Sequence, residues 1–175
     1  MSTLNRRVAV EVYTAMSRIT GGIRTPHLHI RDELNDPRVS LLVFYEMEVA
    51  ALSDLRSLRL VSGEAWLRKD EVLLAVPHKA KGTTSYLAQQ TIESRLGRNE
   101  HRLLFEVPPF RVVGNLYFVG KLQIQDALWR DANRFASVSD AEVTSLVDPA
   151  VSFAVDEVVL NTARVSMLCT QFDAA

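Results

Sequence analysis

The sequence predicts a mainly β protein: two tandem five-stranded small barrels or half-barrels, produced by an internal duplication and joined by one short helix. Three observations predict it. Apolar residues alternate with period two, as in Val8, Val10 and Val12 against Ala9, Glu11 and Tyr13, and such alternation marks a half-buried strand. Turn chemistry recurs at short-strand spacing, at Gly21-Gly22, Asn35-Asp36-Pro37, Ser53-Asp54 and Ser62-Gly63. The chain also matches itself. "LHIRDEL" at 28–34 and "LQIQDAL" at 122–128 share the frame L-x-I-x-D-x-L.

The self-match extends well beyond that frame. An offset of 94 pairs Asp32 with Asp126, Glu46 with Asp140, Glu48 with Glu142, Val49 with Val143 and Leu52 with Leu146. An offset of 93 pairs Arg18 with Arg111, Gly21 with Gly114, Trp66 with Val159, Leu67 with Leu160 and Leu74 with Met167. A one-residue change of offset is what loop insertion produces. The first repeat is expected over residues 1–77 and the second over 101–175.

The elements follow in order. "RVAVEVYTA" is the first strand. "LHIRDEL" reads as the second, with Leu28, Ile30 and Leu34 on its buried face and Asp32 capping the turn beyond it. "SLRLVSGEAWL" and "EVLLAVP" supply later strands. Residues 78–100 form a connector. Within it Thr84 or Ser85 caps a helix near 85–96, with Leu87, Ile92 and Leu96 as its apolar stripe and Gly97 as its stop. In the second repeat Pro108-Pro109 is expected to interrupt the first strand. A unit of some 70 residues is marginal alone, so the two halves are expected to pack together.

A five-stranded unit with a long bent first pair, a glycine at the bend and an aspartate after the second strand resembles the Sm-like and SH3-like small barrels. The whole chain resembles duplicated small-barrel proteins of bacteria. "ITGGIRTPHLHIRDELND" is similar to the Sm motif in its glycine, following strand, aspartate and asparagine. In Sm proteins a loop asparagine and an Arg-Gly pair bind RNA. Asn35 matches the asparagine, but Trp129 stands there in the second repeat. Ser62-Gly63 and Asp156-Glu157 stand where the Arg-Gly pair would be. The resemblance therefore implies the fold and not the RNA site. The cyclic-di-GMP barrels of the PilZ family are set aside, because "LNRRVAVEV" lacks their RxxxR lead.

Composition narrows the function classes. The net charge is −1, which gives no global field for nucleic acid. No stretch approaches the roughly 20 apolar residues that span a bilayer. Glu11 interrupts the apolar run of the first residues, so no signal-peptide core is read and a cytoplasmic location is expected. The single cysteine, Cys169, excludes an internal disulfide and reads as a buried small hydrophobe.

Candidate sites are few. His27 and His29, two apart with Asp32 nearby, have metal-ligand chemistry. Their repeat positions hold Lys121 and Gln123, and two polar residues on the wet face of a strand explain them as well, so no metal is assigned. Glu46 and Glu48, repeated as Asp140 and Glu142, are explained in the same way, and no catalytic residue is assigned. No phosphate-binding glycine loop or nucleophile elbow is present, and no cofactor is expected. Gly21, Asp32, Gly114 and Asp126 are read as structural repeat positions.

The expectation is a non-catalytic module that binds protein, including copies of itself, in a structural or regulatory role. The alternative is nucleic-acid or nucleotide binding through the basic connector, using Lys79, Lys81, Arg95, Arg98 and Arg102.

Overall fold

The structure, a computed structural model, describes residues 6–78, 98–119, 124–129, 133–148 and 151–172. The expected helix near 85–96 and the cations Lys79, Lys81 and Arg95 lie outside the described residues. Among the described residues ten antiparallel strands belong to one open sheet. Five come from the first half: β1 (Arg6–Tyr13), β2 (Ser17–Thr25), β3 (Leu41–Ala51), β4 (Asp54–Arg68) and β5 (Leu74–Pro77). Five come from the second: β6 (Arg98–Val107), β7 (Phe110–Val119), β8 (Phe135–Ser145), β9 (Ser152–Asn161) and β10 (Met167–Cys169). Two single-turn helices, α1 (Ile30–Asn35) and α2 (Ile124–Trp129), follow β2 and β7. No helix among the described residues is long and apolar enough to cross a membrane.

The sheet order is β10-β6-β7-β8-β9-β5-β1-β2-β3-β4. Split between β9 and β5, each half has the same internal order, its last strand returning beside its first. Local bonds recur as well. Lys69 N donates to Ser40 O at 2.9 Å, and Thr162 N donates to Arg134 O at 2.8 Å. Leu73 N donates to Tyr13 O at 2.9 Å, and Ser166 N donates to Glu106 O at 2.8 Å. A 3-10 turn precedes each last strand, at Lys69–Glu71 and Thr162–Arg164.

A bulge recurs too. Glu46 has φ +52° and Asp140 φ +49°, both in the left-handed region. Each lies where the ladder to the preceding strand shifts register, between Thr20 and Gly22 and between Val113 and Asn115. The extra residue turns the inward face from Leu42 and Phe44 to Met47 and Val49 in β3, and from Val138 to Ala141 and Val143 in β8. Gly21 and Gly114 lie opposite. A Cβ on Gly114 would stand 2.6 Å from Val138 Cγ1 and 2.9 Å from Ser139 O, so only glycine admits the approach. The alternation read for Glu46/Glu48 and Asp140/Glu142 holds in exposure, with all four exposed and Met47, Val49, Ala141 and Val143 turned inward, and Glu46 and Asp140 are in addition the bulge residues.

Several local expectations change. Gly21-Gly22 and Ser62-Gly63, expected as turns, lie inside β2 and β4. "LHIRDEL" is not the second strand. Its core is α1, with Ile30, Glu33 and Leu34 buried at positions i, i+3 and i+4. "LQIQDAL" likewise covers most of α2. The frame L-x-I-x-D-x-L fits a strand at its first two apolar positions and a helix at its last two, and the helix wins because β2 already ends at Thr25. Asp32 and Asp126 sit in the first turns of these helices, where a carboxylate complements the exposed N–H groups. Pro108-Pro109 does not interrupt a strand either; it is the turn joining β6 to β7, with a cis peptide.

Two apolar clusters fill the interior, and each borrows from the other half. One groups Phe105, Phe110 and Val143 of the second half with Tyr13, Leu73, Leu74 and Val76 of the first. The other groups Val10, Ile23 and Phe44 of the first half with Phe135 and Val159 of the second.

Candidate functional site

Three places in the structure gather polar or exposed groups. The first is a polar knot under α1. Thr25 Oγ1 donates to Glu33 Oε2, and His27 Nε2 lies 3.1 Å from Asp36 Oδ2. Arg38 grips Asp36 with Nε at 2.9 Å and Nη2 at 2.6 Å. That guanidinium holds the Asp36 carboxyl well below the usual carboxylate range. Lys69, only 5 % exposed, donates from Nζ to the carbonyls of Glu33 and Asp36 at the end of α1. Burial lowers its pKa. The knot ties α1 and the turn before β5 to the sheet.

The metal-ligand trio read from the sequence is not brought together here. His27 and His29 lie in the bend between β2 and α1, not on one strand face. His27 faces Asp36 and Glu33, while Asp32 pairs with Arg31 at 3.2 Å. Among the described residues no group of three or more His, Cys, Asp or Glu side chains is placed to hold a metal ion. Of the described basic residues in the nucleic-acid alternative, Arg98 begins β6, and Arg102 Nη2 lies 3.5 Å from Glu142 Oε1 of the second half. Cys169, expected to be buried, is half-exposed, because β10 is an edge strand.

The second place is a shallow dish of about 260 Å³ lined by Arg7, Arg24, Tyr45, Glu46, Gly63 and Glu64. Arg24 stacks 4.7 Å above the Tyr45 ring and Arg7 pairs with Glu46 at 2.6 Å. It lies over the β3 bulge at Glu46.

The third place is the seam between the halves, together with the two sheet edges. At the seam β5 and β9 run antiparallel, with Leu74 opposite Leu160 and Ala75 opposite Val159. Asn161 seals the end of the ladder: its backbone N donates to Leu73 O and its Nδ2 to Val72 O, both at 2.9 Å. Arg164 Nη2 donates to Asp70 O at 2.9 Å, and Arg134 pairs with the Asp70 carboxylate. The Arg134 hydrogen bond lowers the Asp70 pKa. Asn35, at the end of α1, clamps the start of β8: Nδ2 donates to Phe135 O and Oδ1 accepts from Phe135 N, both at 2.9 Å. Asn35 was singled out in the sequence as the match to an RNA-binding asparagine. The structure gives its side chain to the backbone of the other half.

The seam leaves β4 at one end of the sheet and β10 at the other. On them stand Leu58, Leu60, Trp66 and Met167, all exposed. Sequence reasoning found the repeat pairs Trp66/Val159 and Leu74/Met167 but not the seam they belong to. No sequence signal separates the covered member of each pair from the exposed one. Comparisons of this chain with protein-family models, with curated proteins and with solved structures found no match.

Proposed function

We propose that this chain is a non-catalytic, self-assembling module that works by offering sheet edges to protein partners, copies of itself included. In this reading the chain is a tandem duplication of one five-stranded small-barrel unit, and its role is structural or regulatory. The recurrence of strand order, of the left-handed bulges and of the 3-10 turns supports the duplication.

One observation carries the functional reading. The sheet does not close, and its two end strands present large apolar side chains. Proteins that remain single blunt their edges with lysine, proline, bulges or a covering loop. β4 has two register shifts against β3 and carries Arg59 and Arg68, yet it also shows Leu58, Leu60 and Trp66 along 15 residues of strand. Unpaired N–H and C=O groups beside exposed apolar side chains favour addition of another strand. Light scattering across a concentration series tests this. The expected mass exceeds the 19.6 kDa of one chain and rises with concentration. A mass of one chain at every concentration overturns the reading.

A further inference from the structure

We infer that a second copy of this chain docks its β10 against the outer edge of β4, which has no strand partner beyond β3 among the described residues, repeating between copies the seam that β9 and β5 make within each copy. This inference rests on the self-assembly reading and names its surface, partner and register.

The argument starts from the seam. β9 is the fourth strand of the second half and β5 the fifth strand of the first. Their counterparts are β4, the fourth strand of the first half, and β10, the fifth of the second. Those two are the ends of the sheet. Each copy thus carries one used seam and the two separate sides of an identical unused one.

The repeat offset of 93 converts the used seam into an expected register. Leu74 opposite Leu160 becomes Met167 opposite Leu67, and Ala75 opposite Val159 becomes Leu168 opposite Trp66. The bond from Asn161 N to Leu73 O becomes one from Arg68 N to Ser166 O. Burial fits this conversion. Leu74 and Val159 are 0 % exposed in the seam, whereas Met167 is 40 % and Trp66 63 % exposed at the free edges.

The positions of the clamp convert, but its hydrogen bonds do not. Asn35 and Phe135 map at an offset of 94 onto Trp129 and Leu41, which are 49 % and 37 % exposed. An indole stands where the internal seam has an amide bonded to the Phe135 backbone, so an apolar contact with Leu41 takes the place of that polar one. Both tryptophans of the chain fall on the same proposed contact, and aromatic anchors of this kind dominate protein–protein interfaces. The contact joins unlike surfaces, so it is heterologous and adds copies head to tail.

Two exposed-site variants test it. Trp66→Lys places a charge on the β4 side alone and Met167→Lys on the β10 side alone; thermal melts matching the wild type verify that each still folds. Each variant by itself is expected to be monomeric by light scattering. An equimolar mixture is expected to form a one-to-one pair of about 39 kDa, twice the 19.6 kDa chain, because one intact β4 meets one intact β10. As a second measurement, Leu67→Cys with Met167→Cys in a Cys169→Ser chain should yield disulfides between copies, since the seam geometry makes this a non-hydrogen-bonded pair with close Cα atoms. If either lysine variant assembles like the wild type, or the mixture stays monomeric, head-to-tail docking is overturned while self-assembly stands. If the wild type itself never assembles, both fall.

Discussion

At the residue scale, Asp36 shows most directly how this chain stabilises a bend rich in charge. Arg38 grips both of its oxygens, and His27 touches one. The folded protein therefore keeps Asp36 ionised at pH values where an unfolded chain would protonate it. A depressed pKa contributes stability that is intact above the ordinary carboxylate value near pH 4 and is lost as pH falls below it. Asp36→Asn should lower the urea midpoint at pH 6, and the gap to the wild type should narrow steadily below about pH 4. A gap independent of pH would show that the carboxylate charge is not what matters. None of this knot was legible in the sequence. Asn35-Asp36-Pro37 read correctly as a turn, but the partners of Asp36 depend on α1, whose helical turn hid inside a frame that also fits a strand. Gly21 and Gly114 were legible as repeat positions. Their reason was not, because the left-handed Glu46 and Asp140 opposite them have no sequence signature.

At the element scale, α1 connects the halves through one side chain. Asn35 satisfies both the N–H and the C=O of Phe135, whose ring is buried in the first-half core. Asn35→Ala removes both partners at once. The expected cost is about 1–3 kcal/mol, the range for leaving buried backbone groups unsatisfied. Amide hydrogen exchange should locate it: the Phe135 N–H should exchange faster, while Val10 in the middle of the first-half sheet should not. Equal acceleration at both would mean that the clamp acts only through global stability. The strands were legible in part: the period-two run of β1 and the turn at Ser53-Asp54 hold, whereas Gly21-Gly22 and Ser62-Gly63, which have turn chemistry, lie inside β2 and β4. The pairing of β5 with β9 was not legible. Both are short apolar runs, and nothing in "LLAVP" or "VVLN" says which neighbour each will take.

At the scale of the whole molecule, the interdigitated cores decide how the protein unfolds. Tyr13 stacks on Phe153 and meets Phe110 edge-on, each ring contact at 5.3 Å and each between halves. Burial pushes the Tyr13 hydroxyl up, consistent with its place in that cluster. Neither half keeps a complete core without the other, so one cooperative transition is expected. The two tryptophans make the test simple. Trp129→Phe leaves Trp66 to report the first half, and Trp66→Phe leaves Trp129 to report the second. The two urea transitions, followed at low concentration by fluorescence, should share one midpoint; separated midpoints would mean that the halves unfold independently. The β5–β9 seam has one more consequence. It is formed inside the chain, so dilution cannot open it, and in the proposed head-to-tail particle only every second seam would answer to concentration. Such a particle also counts its five-stranded units in pairs. Whatever the size of that proposed particle, the number of units around it would be even, and every odd-membered closure would be closed to it.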